Sequence, residues 1–519
     1  MEPAEANKAA HKRSRRRRRC HESSSVEAAV KDSRGLPSGA LKTLSKTELE
    51  HIHAGALDVL ERVGFAEAPD FTRDRLRAAG CDLGVDGRIR FPRSLVEDAI
   101  AATEHTLTLP GQRPERDVVL EGARTYFSTG CGSVRVVDPL DNSVRHLEAI
   151  DVYDFARIVD RMENIQVFHR CGTPTDLAST EEVDVNLCYA CVKGTSKPVS
   201  TSWFDGENVR RTLDMLHIIA GSEESWRARP FVSNVCTFVV PPLNFSPEAC
   251  LGMEYALRAG MPVQLTSAGL MGATAPVTVA GTLVQTMAEV LGGLVYAHAI
   301  VRNPPVFLGT WPMVADLRSG AATTGSAEQA LVSSAACQLS RFYGLPNGTI
   351  SGISDSKLPD TQSGMEKGIQ HAYVGNSGGN ILFCAAGSLA GGLGCSQAGI
   401  VIDNEIIGIA MRTVEAFHVS EETLSIDVIE AVCAGGPGHY LGHEQTLAQM
   451  KTGYFYPDVS DRNSIKDWLE SDAPTILVNA TERARDILAG DKPDHISNST
   501  DNAVRKKIPI RIPPQQVQY

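Results

Sequence analysis

From Arg124 onward the chain alternates short apolar, β-branched runs with longer stretches of helical periodicity. Strand candidates fall at 125–128, 166–169, 199–203, 231–236, 263–266, 306–309, 348–351 and 381–384. Helical patterns follow each in turn, at 150–162, 183–192, 209–219, 247–257, 277–300, 327–342, 364–374 and 400–417. Eight consecutive strand–helix units predict an α/β fold, a closed (β/α)8 TIM barrel. An open, doubly wound sheet would show the same alternation and is the competing arrangement.

Ahead of the barrel, Ser45 and Glu48 have capping-box spacing. Leu49, Ile52, Ala56, Leu57, Leu60 and Val63 follow at helical intervals, with Gly64 placed as a stop. A second helix is expected from Pro92 through Leu95, Val96, Ala99 and Ile100. Residues 41–110 thus read as an N-terminal helical extension, and 111–489 as the barrel domain with further helices after Phe417. A hairpin is expected at 134–138 and 143–147, around Pro139-Leu-Asp-Asn142, inside the first βα loop. The polar tail, 490–519, is expected to be loosely held.

Composition narrows the class. The chain has 519 residues, 42% of them hydrophobic, and a formal net charge of −12. That balance disfavours nucleic acid and anionic membranes as partners. The exception is a basic run, Lys12, Arg13 and Arg15 to Arg19, within a residue 1–40 arm expected to be disordered. The apolar stretch ending at Ile300 carries Thr, Gln and Glu, and reads as a buried barrel helix rather than a membrane span. Twelve scattered cysteines in apolar contexts suit free thiols in a reducing cytoplasm. Cys188 and Cys191 form a Cys-x-x-Cys without a second pair, so no tightly bound metal is expected. No nucleophile elbow, Walker loop or kinase signature is present.

In a barrel the chemistry sits at the C-terminal ends of the strands. Those ends carry Gly130-Cys-Gly132, His169-Arg-Cys-Gly172, Trp203-Phe-Asp205, Gly309-Thr-Trp311 and Cys384-Ala-Ala386. Trp203, Phe204 and Trp311 are candidates to cage a quaternary ammonium by cation–π attraction. The densest polar cluster follows the seventh strand, with Asp355, Lys357, Asp360, Gln362 and Glu366 as candidate catalytic residues. Asp355 and Asp360 would hold a substrate cation or orient the loop; Gln362 and Glu366 would share one helix face. His439 and His443 are four apart, but the surrounding glycines argue against a helical metal pair and towards a cofactor contact.

Several of these segments together resemble the trimethylamine methyltransferase family. They are Gly272-Ala-Thr-Ala-Pro-Val-Thr-Val-Ala-Gly281, Ala288-Glu-Val-Leu, Ala315-Asp-Leu-Arg-Ser-Gly-Ala321 and Ser354-Asp-Ser-Lys357 with Asp360 and Gln362. Ile402-Asp-Asn-Glu405, Gly438-His-Tyr-Leu-Gly442 and Tyr454-Phe-Tyr-Pro457 extend the likeness, which spans about residues 41–488. The resemblance implies a (β/α)8 barrel and a cobalamin (corrinoid) cofactor supplied by a partner corrinoid protein. The implied reaction is attack of cobalt(I) on an N-methyl carbon of a methylated amine. A homo-oligomer is expected.

Trimethylamine-specific members carry pyrrolysine, and this chain contains only the twenty ordinary residues. It therefore resembles the non-pyrrolysine branch, and a quaternary amine such as a betaine is the expected donor. Many relatives carry a His near the strand end where this chain has Cys384, which makes Cys384 a candidate substrate contact with altered pocket polarity. Two other classes would suit the same barrel: a quaternary-amine binding protein without methyl transfer, and a lyase or hydrolase.

Overall fold

The structure is a computed structural model that describes residues 36–415 and 417–519. The basic run expected to be disordered lies outside the described residues.

The eight barrel strands are β1 (Arg124–Thr129), β2 (Phe168–His169), β3 (Val199–Thr201), β4 (Val232–Cys236), β5 (Val263–Ser267), β6 (Val306–Thr310), β7 (Asn347–Ile350) and β8 (Ile381–Ala386). Each is followed by a helix: α1 (Ala149–Asp160), α2 (Thr180–Gly194), α3 (Gly206–Ala220), α4 (Pro247–Arg258), α5 (Val279–Ile300), α6 (Ala327–Phe342), α7 (Thr361–Gly375) and α8 (Gln397–Val414). Neighbouring strands pair in parallel from β2 through to β8, and β8 pairs with β1. A parallel bridge between Ser128 and Val167 joins β1 to β2 and closes the ring, so the open doubly wound sheet is excluded.

The pleat explains the two hydrophobic clusters. Alternate strand residues point to opposite faces. Tyr126, Val235, Phe307, Ile381 and Phe383 fill the lumen, whereas Phe127, Leu308 and Leu382 pack outward against the helices. The lumen floor is plugged by the paired strands Thr106–Leu109 and Val118–Glu121, which insert Leu109, Val118 and Leu120. That plug begins inside the stretch expected to be purely helical.

The extension itself holds the helices Lys46–Arg62, Asp70–Ala78 and Arg93–Ala102. The Ser45–Glu48 capping box is formed. These helices lie on α5, and Thr72 donates to the Tyr296 hydroxyl at 3.0 Å. Strands cover one side of α5 and the extension the other. This is why α5 is buried over most of its surface, and it is long and apolar enough by composition to cross a membrane.

Two expectations are corrected. The helix at Asp70–Ala78 was not anticipated, because its residues are mostly charged and only Thr72 and Leu76 are buried. The tail is not loose: helix Asn498–Lys507 packs against α3 and is hydrogen-bonded to Tyr189 of α2. Lys193 Nζ donates to Ile496 O at 2.9 Å, Tyr189 donates to the buried Asp501 carboxylate, and Val504 and Val517 are fully buried. Its isoleucines and valines pack onto the barrel's core, a placement that average polarity conceals.

Candidate active site

At the strand ends three aromatic rings converge. The His169 imidazole stands edge-on to the Trp311 indole, with centroids 6.1 Å apart, and to the Phe383 ring at 5.6 Å. Trp311 and Phe383 are 5.2 Å apart. Trp311 Nε1, His169 Nδ1 and the Ser128 hydroxyl are buried without a protein hydrogen-bond partner, as are both polar atoms of the Gln264 amide lower in the lumen. Buried polar groups are normally paired. Such a cluster on the inner face of a barrel marks the place built for a ligand or water.

Gly130 lets this site exist. Its φ is +142°, and a Cβ there would meet His169 Cδ2 at 2.4 Å and Cys384 Sγ at 3.4 Å. Cys384 sits where the β8–β1 register shifts, with φ +61°. A non-glycine residue in that conformation costs on the order of 1–3 kcal/mol. The bulge turns the Cys384 thiol towards Gly130 and the pocket. Burial pushes its pKa up, so it stays a neutral thiol.

Neither histidine at the pocket is an imidazolium at neutral pH. Burial lowers the His169 pKa to about 3, with the Arg170 charge adding to the effect. His371, in the wall behind, is likewise lowered to about 3, by burial and then by the Lys367 charge. Its Nδ1 lies 3.0 Å from Ser351 Oγ and its Nε2 3.0 Å from Ala385 O.

Arg170 places a positive charge beside the rings. Its Nε donates to Ser202 at 3.0 Å and its Nη1 to Thr173 at 2.8 Å, and its guanidinium lies 5.7 Å from the Phe204 ring centroid. Desolvation holds its pKa down. Among the described residues no carboxylate is within ion-pair distance of it. Asp184, whose charge it feels, is taken up by Asn208 and the Phe204 backbone amide.

The sequence candidates divide. Trp311 and Cys384 line the pocket. Phe204 lies at the rim under Arg170 and is 48% exposed. Trp203 is anchored to α3: its indole N–H donates to Thr212 at 3.0 Å.

The cluster after β7 is a hydrogen-bonded brace. Asp355 accepts from Thr323 at 2.8 Å and from the Thr324 amide at 3.0 Å, tying this loop to the one before it. Asp360 caps α7 through Ser363 N. Glu366 accepts from Ser354, the Asp355 amide and Gln362, at 2.6, 2.9 and 2.7 Å. Lys357 donates to Asp355 O. Behind β5, Glu289 is similarly engaged by Ser267, Leu243 N and Gln285. His439 and His443 lie in an exposed helical excursion after α8, where His443 caps the helix Glu444–Thr452.

His169, Arg170 and Phe383 were not among the candidates. The adjacent His and Arg at a predicted strand end were a usable signal; Phe383 was indistinguishable from a core residue. The buried pair Lys367–Asp403, at 2.5 Å between α7 and α8, had no sequence signature.

Comparison with known proteins adds the lineage. A family model described as Trimethylamine methyltransferase (MTTB) matches residues 10–512. Trimethylamine methyltransferase MttB of Desulfitobacterium hafniense (strain DSM 10664 / DCB-2) is 31% identical over 473 residues, covering 91% of this chain and 93% of that protein. The glycine betaine methyltransferase of Desulfitobacterium hafniense (strain Y51) is 29% identical, covering 88% and 94%. Among solved structures, the Methanosarcina barkeri monomethylamine methyltransferase (MtmB) aligns with a TM-score of 0.44 and 12% identity, over 87% of this chain and 95% of that one. With its closed barrel and near-complete family match, the chain is a methyltransferase and belongs to the trimethylamine methyltransferase family.

Proposed function

We propose that this enzyme takes a methyl group from a quaternary amine that also bears a carboxylate, of the betaine class, and passes it to a corrinoid carried by a separate protein. The observation that carries the reading is Arg170. A half-buried guanidinium with no carboxylate within ion-pair distance is only partly compensated. A substrate carboxylate would neutralise it, by a charge-assisted contact of the kind favoured by arginine.

The ring cluster suits the other end of such a substrate. Aromatic faces attract a quaternary ammonium by about 2 kcal/mol or more once desolvated. A protonated tertiary amine fares worse there. Its N–H must be desolvated, and the carboxylates Asp355 and Glu366, which could balance its charge, are engaged by their own loop. A quaternary nitrogen has no proton to lose and leaves as a neutral amine, so the neutral His169 and Cys384 are no handicap. The glycine betaine methyltransferase among its relatives supports the same substrate class.

The mouth fits an apolar-faced macrocycle. Phe204, Val277, Leu317 and Leu393, on loops after four different strands, are 48–67% exposed. They would receive the corrinoid, which supplies a nucleophilic cobalt when its carrier docks. The chain's contribution is positional: the rings and Arg170 fix both ends of the donor so that one N-methyl carbon faces the mouth. The lumen plug closes the opposite end to water.

The test is methyl transfer followed by the absorbance of the reduced corrinoid partner, with glycine betaine, tetramethylammonium and trimethylamine as donors. Glycine betaine should be used best and trimethylamine not at all. Turnover of trimethylamine without betaine turnover would overturn the reading.

A further inference from the structure

The closed end of the barrel, opposite the ring cluster, holds a cavity of about 530 Å³. It is built where the end of α1, the loop joining the two plug strands and the chain beyond the helix Ile476–Ala489 come together. Ser196, which also lines it, stands just ahead of β3, so the cavity lies at the N-terminal ends of the strands. Five lining side chains are cationic, Arg113, Arg116, Arg157, Arg161 and Lys492, against the three carboxylates Asp160, Asp491 and Asp494. The chain as a whole carries a net charge of −12, so this is a local reversal of sign.

Cations commonly cap the carbonyls at a helix C-terminus, and here other groups already do so. The buried Lys197 donates through Nζ to the carbonyls of Val159, Met162 and Ile165, at 2.6, 2.5 and 2.5 Å, and so closes the end of α1. Arg157 Nη2 donates to Gly490 O at 3.1 Å, and Lys492 Nζ to Gln515 O and Gln518 O. Arg113 pairs with Asp494 at 2.8 Å. Asp160 accepts from the Thr195 hydroxyl at 2.8 Å and the Ser196 amide at 2.9 Å. Among the described residues, Arg116 and Arg161 are left with no ion pair and no side-chain hydrogen bond, and the exposed Asp491 is the one uncommitted carboxylate on the wall. An adjoining cavity of about 320 Å³ shares Arg161 and adds Asp486 and Arg483, whose Nε is buried without a hydrogen-bond partner.

We infer that the closed end binds a small anion bearing a phosphoryl group, gripped by Arg116 and Arg161. Guanidinium forks are suited to such oxyanions. A phosphoryl group offers three acceptor oxygens, which cations arriving from separate segments can share, whereas a carboxylate offers two in one plane. The volume falls in the ~300–1,000 Å³ range of small-molecule sites. The plug lies between this cavity and the ring cluster, so the anion is neither the methyl donor nor the corrinoid. It ties the plug loop to the end of α1, and binding to the native state alone stabilises it.

The experiment uses the full chain with pyrophosphate as the probe. Isothermal titration calorimetry at fixed ionic strength should show a single saturable site, for which inorganic phosphate competes. Tm should rise with pyrophosphate and not with chloride at the same ionic strength. Arg116→Gln/Arg161→Gln should raise Kd at least about tenfold. Its unliganded Tm should be unchanged or higher, because two unpaired like charges are gone. Arg77→Gln/Arg210→Gln, which removes the same charge without touching the lining, should bind as the wild type does. Absence of a saturable site, equal loss in both double variants, or tighter binding of citrate than of pyrophosphate would overturn the inference. So would a lower unliganded Tm for Arg116→Gln/Arg161→Gln, which would assign the two guanidinia to holding the fold.

Discussion

The indole of Trp311 stands at 90° to the imidazole of His169, and each ring keeps a buried nitrogen that no protein atom satisfies. Trp311 comes from the end of β6 and His169 from the end of β2, on opposite sides of the ring. Replacing Trp311 by Leu removes the largest face offered to the methylated cation. Loss of about 2 kcal/mol of cation–π attraction predicts a roughly 30-fold rise in KM for glycine betaine, with the circular dichroism spectrum unchanged. Steady-state kinetics with the corrinoid partner measures it.

Arg170→Met should separate substrates by charge. A charge-assisted contact contributes about 1.5–3 kcal/mol, so kcat/KM for glycine betaine should fall about 10–150-fold. Transfer from tetramethylammonium, which has no carboxylate, should hold steady or improve. Equal loss with both donors would assign Arg170 to the loop alone.

Acid should destabilise the fold through two histidines. His169 and His371 are lowered from the ordinary 6.5 to about 3. The unfolded chain therefore takes up protons between pH 6.5 and 3 that the native state refuses. Their stability contribution is complete above pH 6.5 and is lost as pH falls, at up to about 1.4 kcal/mol per pH unit for each. Urea midpoints from pH 7 to 4.5 should fall accordingly. His371→Gln, which can keep a bond to Ala385 O, should flatten the slope.

The brace between α7 and α8 should be sensitive to half-removal. Lys367 Nζ and Asp403 Oδ2 are 2.5 Å apart, and Asp403 also accepts from the Gly387 amide at 2.7 Å. Lys367→Met leaves a buried carboxylate without its cation and should cost about 3–5 kcal/mol. Lys367→Met/Asp403→Leu should recover much of that in denaturant titrations.

Gly130→Ala should abolish methyl transfer while leaving most of the stability. A Cβ there lies 2.4 Å from His169 Cδ2, so the imidazole must move out of the ring cluster. Binding of glycine betaine, measured calorimetrically, should be lost with it.

The legible part of the site was what a strand end displays locally. Trp311, Phe204 and Cys384 could be chosen because the end of a barrel strand is a functional position whatever the loop beyond it does. Trp203 looked equivalent to Trp311, but its indole is claimed by Thr212, nine residues further along. The polar cluster from Asp355 to Glu366 looked catalytic because it is rich in charge. In the structure its carboxylates are held by Thr323, Thr324 and neighbouring amides, partners that no spacing rule identifies.

What the sequence alone determined is the alternation of eight strands and eight helices. Those patterns are local: period-two runs must bury both faces, and each following helix must cover one. Whether the ring closed was decided only in three dimensions, by the bridge between Ser128 and Val167. The meeting of His169, Trp311, Phe383 and Gly130 was decided in the same way. Residues more than two hundred positions apart share a pocket because parallel strands in a closed barrel end on one rim, and contacts across that rim leave no periodic trace in the chain.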